Sequence, residues 1–121
     1  MNEKQQEIQE KCIAFAVRID ALRKDLNKKH HEYNKASQVD RCASSIGANY
    51  SEAVCAESAA DYIHKLGIAQ KEANETIYWL KVIYRSGYID DTLYNSLIAD
   101  VDELIRIITA IIVSLKKKHN T

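Results

Sequence analysis

Four stretches of the chain repeat an apolar or small residue at alternating three- and four-residue spacing: Ile8-Cys12-Phe15-Ile19-Leu22-Leu26, Val39-Ala43-Ile46-Tyr50-Ala53, Tyr62-Leu66-Ala69-Ala73-Thr76-Leu80 and Leu97-Val101-Leu104-Ile108-Ile111-Leu115. Side chains three and four positions apart share one face of an α-helix, so each stripe describes a helix packed lengthwise against others. No proline interrupts any of them. The spacing predicts an all-α protein with helices over about residues 3–29, 35–54, 58–86 and 91–117. Connections this short favour antiparallel neighbours, hence an up-down-up-down four-helix bundle in a single domain.

Local signals set the predicted ends. The cluster Lys28-Lys29-His30-His31-Glu32 marks the end of helix 1 or the turn beyond it. Ser58, followed three residues later by Asp61, has the spacing of a capping box, in which the hydroxyl accepts an orphan backbone N–H and the carboxylate reaches back. Gly87 suits the left-handed conformation that ends helices. Asp90 or Asp91 caps helix 4, whose acids (Asp100, Asp102, Glu103) precede Arg106 and Lys116-Lys117-Lys118, an order matched to the helix dipole. The tail beyond Leu115 is expected to fray. On helix 1, Glu7/Lys11 and Asp20/Lys24 are acid-to-base pairs four apart on the wet side.

Helix 4 carries more apolar surface than its stripe requires. Ile98, Ile105, Ile107 and Ile112 widen the stripe to about half the helix circumference, where a surface helix needs little more than ~100°. Trp79 projects about 100° away from the centre of its own helix's apolar face. Both features predict a covering surface, either a second copy of the chain, the favoured reading since most soluble oligomers are homo-oligomers, or a different macromolecule.

Composition narrows the functional classes. With 121 residues, 17 Lys plus Arg and 17 Asp plus Glu, the chain has the size of one domain and zero formal charge, so no global field draws it to nucleic acid or an acidic membrane. Its most apolar run, Leu104 to Leu115, contains Arg106 and is short of the roughly 20 residues that span a bilayer. The start Met1-Asn2-Glu3-Lys4-Gln5-Gln6 has no secretory character, and the expected location is the cytoplasm. The 3 cysteines form no Cys-x-x-Cys pair and read as small buried hydrophobes of a reducing compartment.

Candidate chemistry is sparse. A di-metal bundle uses two Glu-x-x-His motifs, and Asp61-Tyr62-Ile63-His64 is a single imperfect copy. His30 and His31 diverge by about 100° on a helix and do not chelate together. Ser44 and Ser45 lack a nucleophile-elbow setting, and 3 glycines build no phosphate cradle. The expectation is a non-enzyme with no cofactor and no metal.

One polar set stands out. Arg41, Ser45, Asn49 and Glu52 lie four, four and three apart and line one side of helix 2. Helix 3 offers a comparable flank in Glu72 and Glu75, with Trp79 four residues on. If the flanks meet, Arg41 pairs with Glu52 or Glu75 and Asn49 bridges them, a network that fixes register or subunit packing. The competing reading is a ligand or peptide site. For nucleic acid the candidates are Arg23, Lys24, Lys28 and Lys29 near the end of helix 1 and Lys116, Lys117 and Lys118 after helix 4. An up-down bundle puts these two groups at opposite poles.

The wording of helices 2 and 3 carries a resemblance. Arg41-Cys42-Ala43-Ser44-Ser45-Ile46-Gly47-Ala48-Asn49-Tyr50-Ser51-Glu52-Ala53, then Ser58, Ile68-Ala69 and Glu75-Thr76-Ile77-Tyr78-Trp79-Leu80, resembles the bacterial four-helix bundle proteins first noted as reading frames inside intervening sequences of 23S ribosomal RNA genes. The resemblance spans about residues 15–115. It implies a cytoplasmic protein without known catalytic activity that forms a ring-like homopentamer of four-helix bundles. It also connects the chain to the accessory protein of diversity-generating retroelements, which binds a reverse transcriptase and nucleic acid through a strongly basic surface. This neutral chain lacks such a surface, so scaffold or adaptor is the first expectation. The alternative is an RNA-associated protein linked to ribosomal RNA intervening sequences or to a reverse transcriptase.

Overall fold

The computed structural model of the protein describes residues 1–119. It consists of α1 (Glu3–His30), α2 (Asn34–Val54), α3 (Ala59–Arg85) and α4 (Asp91–His119). The ends follow from local chemistry. Asn2 accepts the Gln5 N–H at 2.8 Å while the Gln5 side chain accepts the Asn2 N–H at 3.0 Å, a reciprocal cap on α1. The Ser58 hydroxyl accepts the Asp61 N–H at 3.1 Å, the hydroxyl half of the predicted box, so Ser58 caps α3 from outside it. Asp90 caps α4 by accepting the Leu93 N–H at 2.8 Å, whereas Asp91 accepts the Tyr84 hydroxyl.

Two helices end on left-handed residues. Gly87 has φ +84, and the Gly87 and Tyr88 N–H groups reach back to Tyr84 and Ile83, which satisfies two orphan carbonyls of α3. His31 does the same for α1 at φ 52, where the Glu32 N–H reaches the Leu26 carbonyl at 3.1 Å. At α4 the fraying expected beyond Leu115 is corrected as far as residue 119, and residues 120–121 lie outside the described residues. The helix runs through Lys116-Lys117-Lys118, cations that suit a helix C-terminus.

Pairings between helices establish the topology. Gln9 meets Ser51 and Arg23 meets Asp40, so α2 runs back along α1. Arg41 meets Glu75 and Lys65 meets Glu52, so α3 runs back along α2. Gln70 meets Thr109 while Tyr84 stacks on Tyr94, and Lys11 meets Glu103 while Arg18 meets Asp100. Every adjacent pair is antiparallel, as an up-down-up-down bundle requires.

The predicted stripes meet at the centre. Phe15, Ile19, Leu26, Ile46, Tyr50, Leu66, Leu80, Leu97, Leu104 and Ile108 are fully buried side chains, joined by Ala36, Cys42 and Ile83 from outside the stripes. Toward the end of α4 the inward face shifts by one position: Ile112 is buried, and Ile111 and Leu115 pack half-buried at the margin. Gly47 lets α1 and α2 approach closely: a built Cβ there would lie 2.9 Å from Cys12 Cβ. Of the neighbouring helix pairs, α1 and α4 touch least, and three clefts of about 310, 130 and 250 Å³ run along their seam.

Candidate functional site

The polar flanks of α2 and α3 do meet. The Arg41 guanidinium is hydrogen-bonded to Glu75 and lies 3.7 Å from Glu72. That hydrogen bond, and then the Glu75 charge, raise the Arg41 pKa above its ordinary value, so the group stays protonated. Two expected links differ. Glu52 pairs with Lys65 at 3.5 Å and not with Arg41, because it sits about three turns further along α2, beside the start of α3. Among the described residues Asn49 does not bridge the helices: its amide donates to the Ser45 carbonyl at 2.8 Å, one turn back on its own helix. The row therefore resolves into separate local and cross-helix pairs: Arg41 with Glu75 and Glu72, Asn49 with Ser45, and Glu52 with Lys65. Beneath it, the Thr76 hydroxyl donates to the Glu72 carbonyl at 2.8 Å and lies 3.2 Å from Cys42 Sγ, which joins the polar flank to the core.

Trp79 is half-buried against the core and meets Tyr78 edge-on with ring centroids 5.1 Å apart. Tyr78 is the more exposed of the two. The surplus isoleucines of α4 are likewise partly covered within one chain: Ile98, Ile105 and Ile107 pack half-buried at the core margin. The large apolar side chains left in solvent include Val113 on α4 and, on the outer side of α1, Ile13 and Val17 at 46% and 63% exposure. Ile13 and Val17 fall outside the α1 stripe, so the stripe alone does not point to them. Their signal is a second apolar row at four-residue spacing on that helix, Ile13-Val17-Ala21.

The α1–α4 seam is lined by small and apolar side chains, Ala14, Ala21, Leu22, Leu97, Ile107 and Ala110 among them. Two cross-helix pairs span it, Lys11–Glu103 at 3.5 Å and Arg18–Asp100 at 2.6 Å, with Arg18 also donating to Ser96 at 3.0 Å. Lys11 thus turns to α4 and not to Glu7 on its own helix. Asp20–Lys24 forms along α1 at 3.0 Å, as the spacing implied.

The basic residues lie at two poles. Near the end of α1, Arg23 pairs with Asp40, Lys24 with Asp20 and Lys29 with Asp25, at 2.8, 3.0 and 3.0 Å, and Lys28 is exposed. Lys116, Lys117 and Lys118 are exposed at the opposite pole. The α1 group is thus largely neutralised by its own acids. Among the described residues no group of three or more His, Cys, Asp or Glu is placed to hold a metal ion. Among them, too, no helix is long and apolar enough to cross a membrane. Burial pushes the thiols of Cys12 and Cys42 up to about 11, so at neutral pH both stay protonated, whereas the expectation of a buried Cys55 is corrected: it caps the end of α2 beside the α2–α3 turn and is exposed.

Comparison with known proteins agrees with this geometry. The 23S rRNA-intervening sequence protein family matches residues 4–110. A crystal structure of a protein of unknown function, from the S23 ribosomal protein family of Bacteroides thetaiotaomicron, is 44% identical and superposes with a TM-score of 0.85. The likeness covers 87% of this chain and 97% of that one. Among curated proteins no relative matches.

Proposed function

The chain belongs to the 23S rRNA-intervening sequence protein family, and from that premise we propose that it acts without catalysis, as a cytoplasmic helical scaffold that gathers copies of itself and holds another macromolecule. One observation carries the reading. The polar groups that would form a reaction centre are paired with one another around Arg41, whereas large apolar side chains on the outer sides of α1 and α4 are left in solvent. Exposed apolar surface of this kind is stabilised by contact with another protein surface. In this reading Arg41, Glu72 and Glu75 hold the α2–α3 spacing, Glu52 and Lys65 extend it, and Trp79 and α4 add contact area.

Light scattering on the purified chain tests the scaffold reading. A solution mass of several chains is expected, and a mass of a single chain at high protein concentration overturns it. Contact with RNA is the second reading, favoured by the exposed Lys116 and Lys117 at the end of α4 and by the family's link to ribosomal RNA intervening sequences. Phosphate contacts release counterions, so RNA affinity would then fall steeply with salt.

A further inference from the structure

The outward side of α3 carries a row that neither the core nor the Arg41 cluster uses. Lys71, Asn74, Tyr78, Lys81 and Arg85 follow one another at three, four, three and four residues, so they fall within about 80° of one another on the helix wheel. All five are exposed. Among the described residues none of the three cations forms an ion pair, and the neighbouring acids of the helix, Glu72 and Glu75, turn to Arg41. The group near the end of α1, by contrast, is held by Asp20, Asp25 and Asp40. A chain of zero net charge thus keeps unpaired positive charge in one local row.

Tyr78 sits in the middle of the row and is 57% exposed, while the half-buried Trp79 meets it edge-on and braces the ring. Lysine is depleted from protein contacts, whereas cations on either side of an open aromatic ring suit a strand in which phosphates and bases alternate. We propose that this face of α3 binds single-stranded RNA, with phosphates on Lys71, Lys81 and Arg85 and one base stacked on Tyr78. Asn74 adds an uncharged donor for a phosphate or sugar oxygen. From Lys71 to Arg85 the row runs about 21 Å, the length of roughly six stacked nucleotides at about 3.4 Å each. A duplex hides the faces of its bases from the ring, so the single strand is the occupant that fits.

This inference rests on the second reading above, contact with RNA, and gives it a site. Gln70 meets Thr109 across α3 and α4, so Lys117 lies about 12 Å beyond the level of Lys71 and one strand reaches both. Fluorescence anisotropy on the full chain tests it, with a labelled single-stranded RNA of mixed sequence and about 12 nucleotides, over a salt series. The wild type is expected to bind, with affinity falling steeply as salt rises. Lys71→Gln, Lys81→Gln and Arg85→Gln together should lower the logarithmic salt slope by about 2, at about 0.7 for each phosphate. Tyr78→Ala should weaken binding about tenfold with the slope unchanged, and Tyr78→Phe should keep wild-type affinity, since the ring alone stacks. Every position is exposed, so helicity by circular dichroism is expected to stay at the wild-type value.

RNA bound with a slope indifferent to the triple substitution overturns this inference and leaves the contact to Lys116 and Lys117. Full affinity in Tyr78→Ala overturns it too. Poly-glutamate bound as tightly as the RNA would make an acidic protein the occupant and overturn it, as would duplex RNA bound as tightly as the single strand. No binding of the RNA at low salt overturns this inference and the RNA reading together, and the scaffold reading is untouched.

Discussion

At Gly47 the distance between α1 and α2 is set by a missing side chain. A methyl group there would press on Cys12 Cβ, which is backbone-proximal and unable to swing aside. Gly47→Ala gains helix propensity of roughly 1 kcal/mol but forces the helices apart, and overpacking typically costs about 1–3 kcal/mol. A net loss of stability is expected in a denaturant titration. Tyr50 presents the opposite case. Its ring is fully buried, yet its hydroxyl has no hydrogen-bond partner among the described residues. Tyr50→Phe removes an unpaired polar atom and is expected to leave stability unchanged or to raise it by up to about 1 kcal/mol. A loss above about 1 kcal/mol would mean that the hydroxyl is satisfied in solution. Burial also raises the Tyr50 pKa to about 12 and those of Cys12 and Cys42 to about 11, above their ordinary 10.0 and 9.0. Because the folded values exceed the unfolded ones, the native state keeps protons that the unfolded chain releases. The contribution of these groups is complete below about pH 9 and is lost as pH rises from 9 through 11 to 12. Thermal melts should show a falling Tm across that range.

Among the elements, α2 and α3 form the tightest pair, and the α1–α4 seam is the most open. The difference has a physical cause. Ala43, Cys42, Ala69 and Ala73 are small and buried where α2 and α3 approach, so backbones come close and a polar margin forms around Arg41. At the seam, Ala14, Ala21 and Ala110 are small but exposed, and the helices are spanned by ion pairs whose side chains are 37–48% exposed. Such pairs are screened by water and salt and contribute little. Arg18→Ala should therefore cost less than about 1 kcal/mol and lose even that in high salt, while Leu104→Ala, in the core between the same helices, should cost about 2–5 kcal/mol. A larger loss from Arg18→Ala than from Leu104→Ala would show that the seam is held by charge.

At the scale of the whole molecule, zero net charge and basic groups at opposite poles leave no continuous field for a nucleic acid. If RNA binds, neutralising Lys116 and Lys117 to Gln should flatten the salt dependence of affinity by about one logarithmic unit for each phosphate left without its cation, whereas neutralising the paired Arg23, Lys24 and Lys29 should change it less. An equal effect at both poles would contradict the neutralisation seen at α1. The helices, their order and most of the core were legible in the chain itself, because period, caps and glycine act locally: Ser58, Asp90 and Gly87 behave as their spacing implies. The Arg41–Glu75 pair was legible as one of two options, and choosing between Glu75 and Glu52 needed the α2–α3 register. Only the tertiary structure decided that Glu52 turns to Lys65, that Asn49 stays on its own helix, that Ile112 enters the core in place of Ile111, and that Ile13 and Val17 face solvent. A helical period states which residues share a face, but which face meets which, and how closely, is fixed by the joint packing of all four helices.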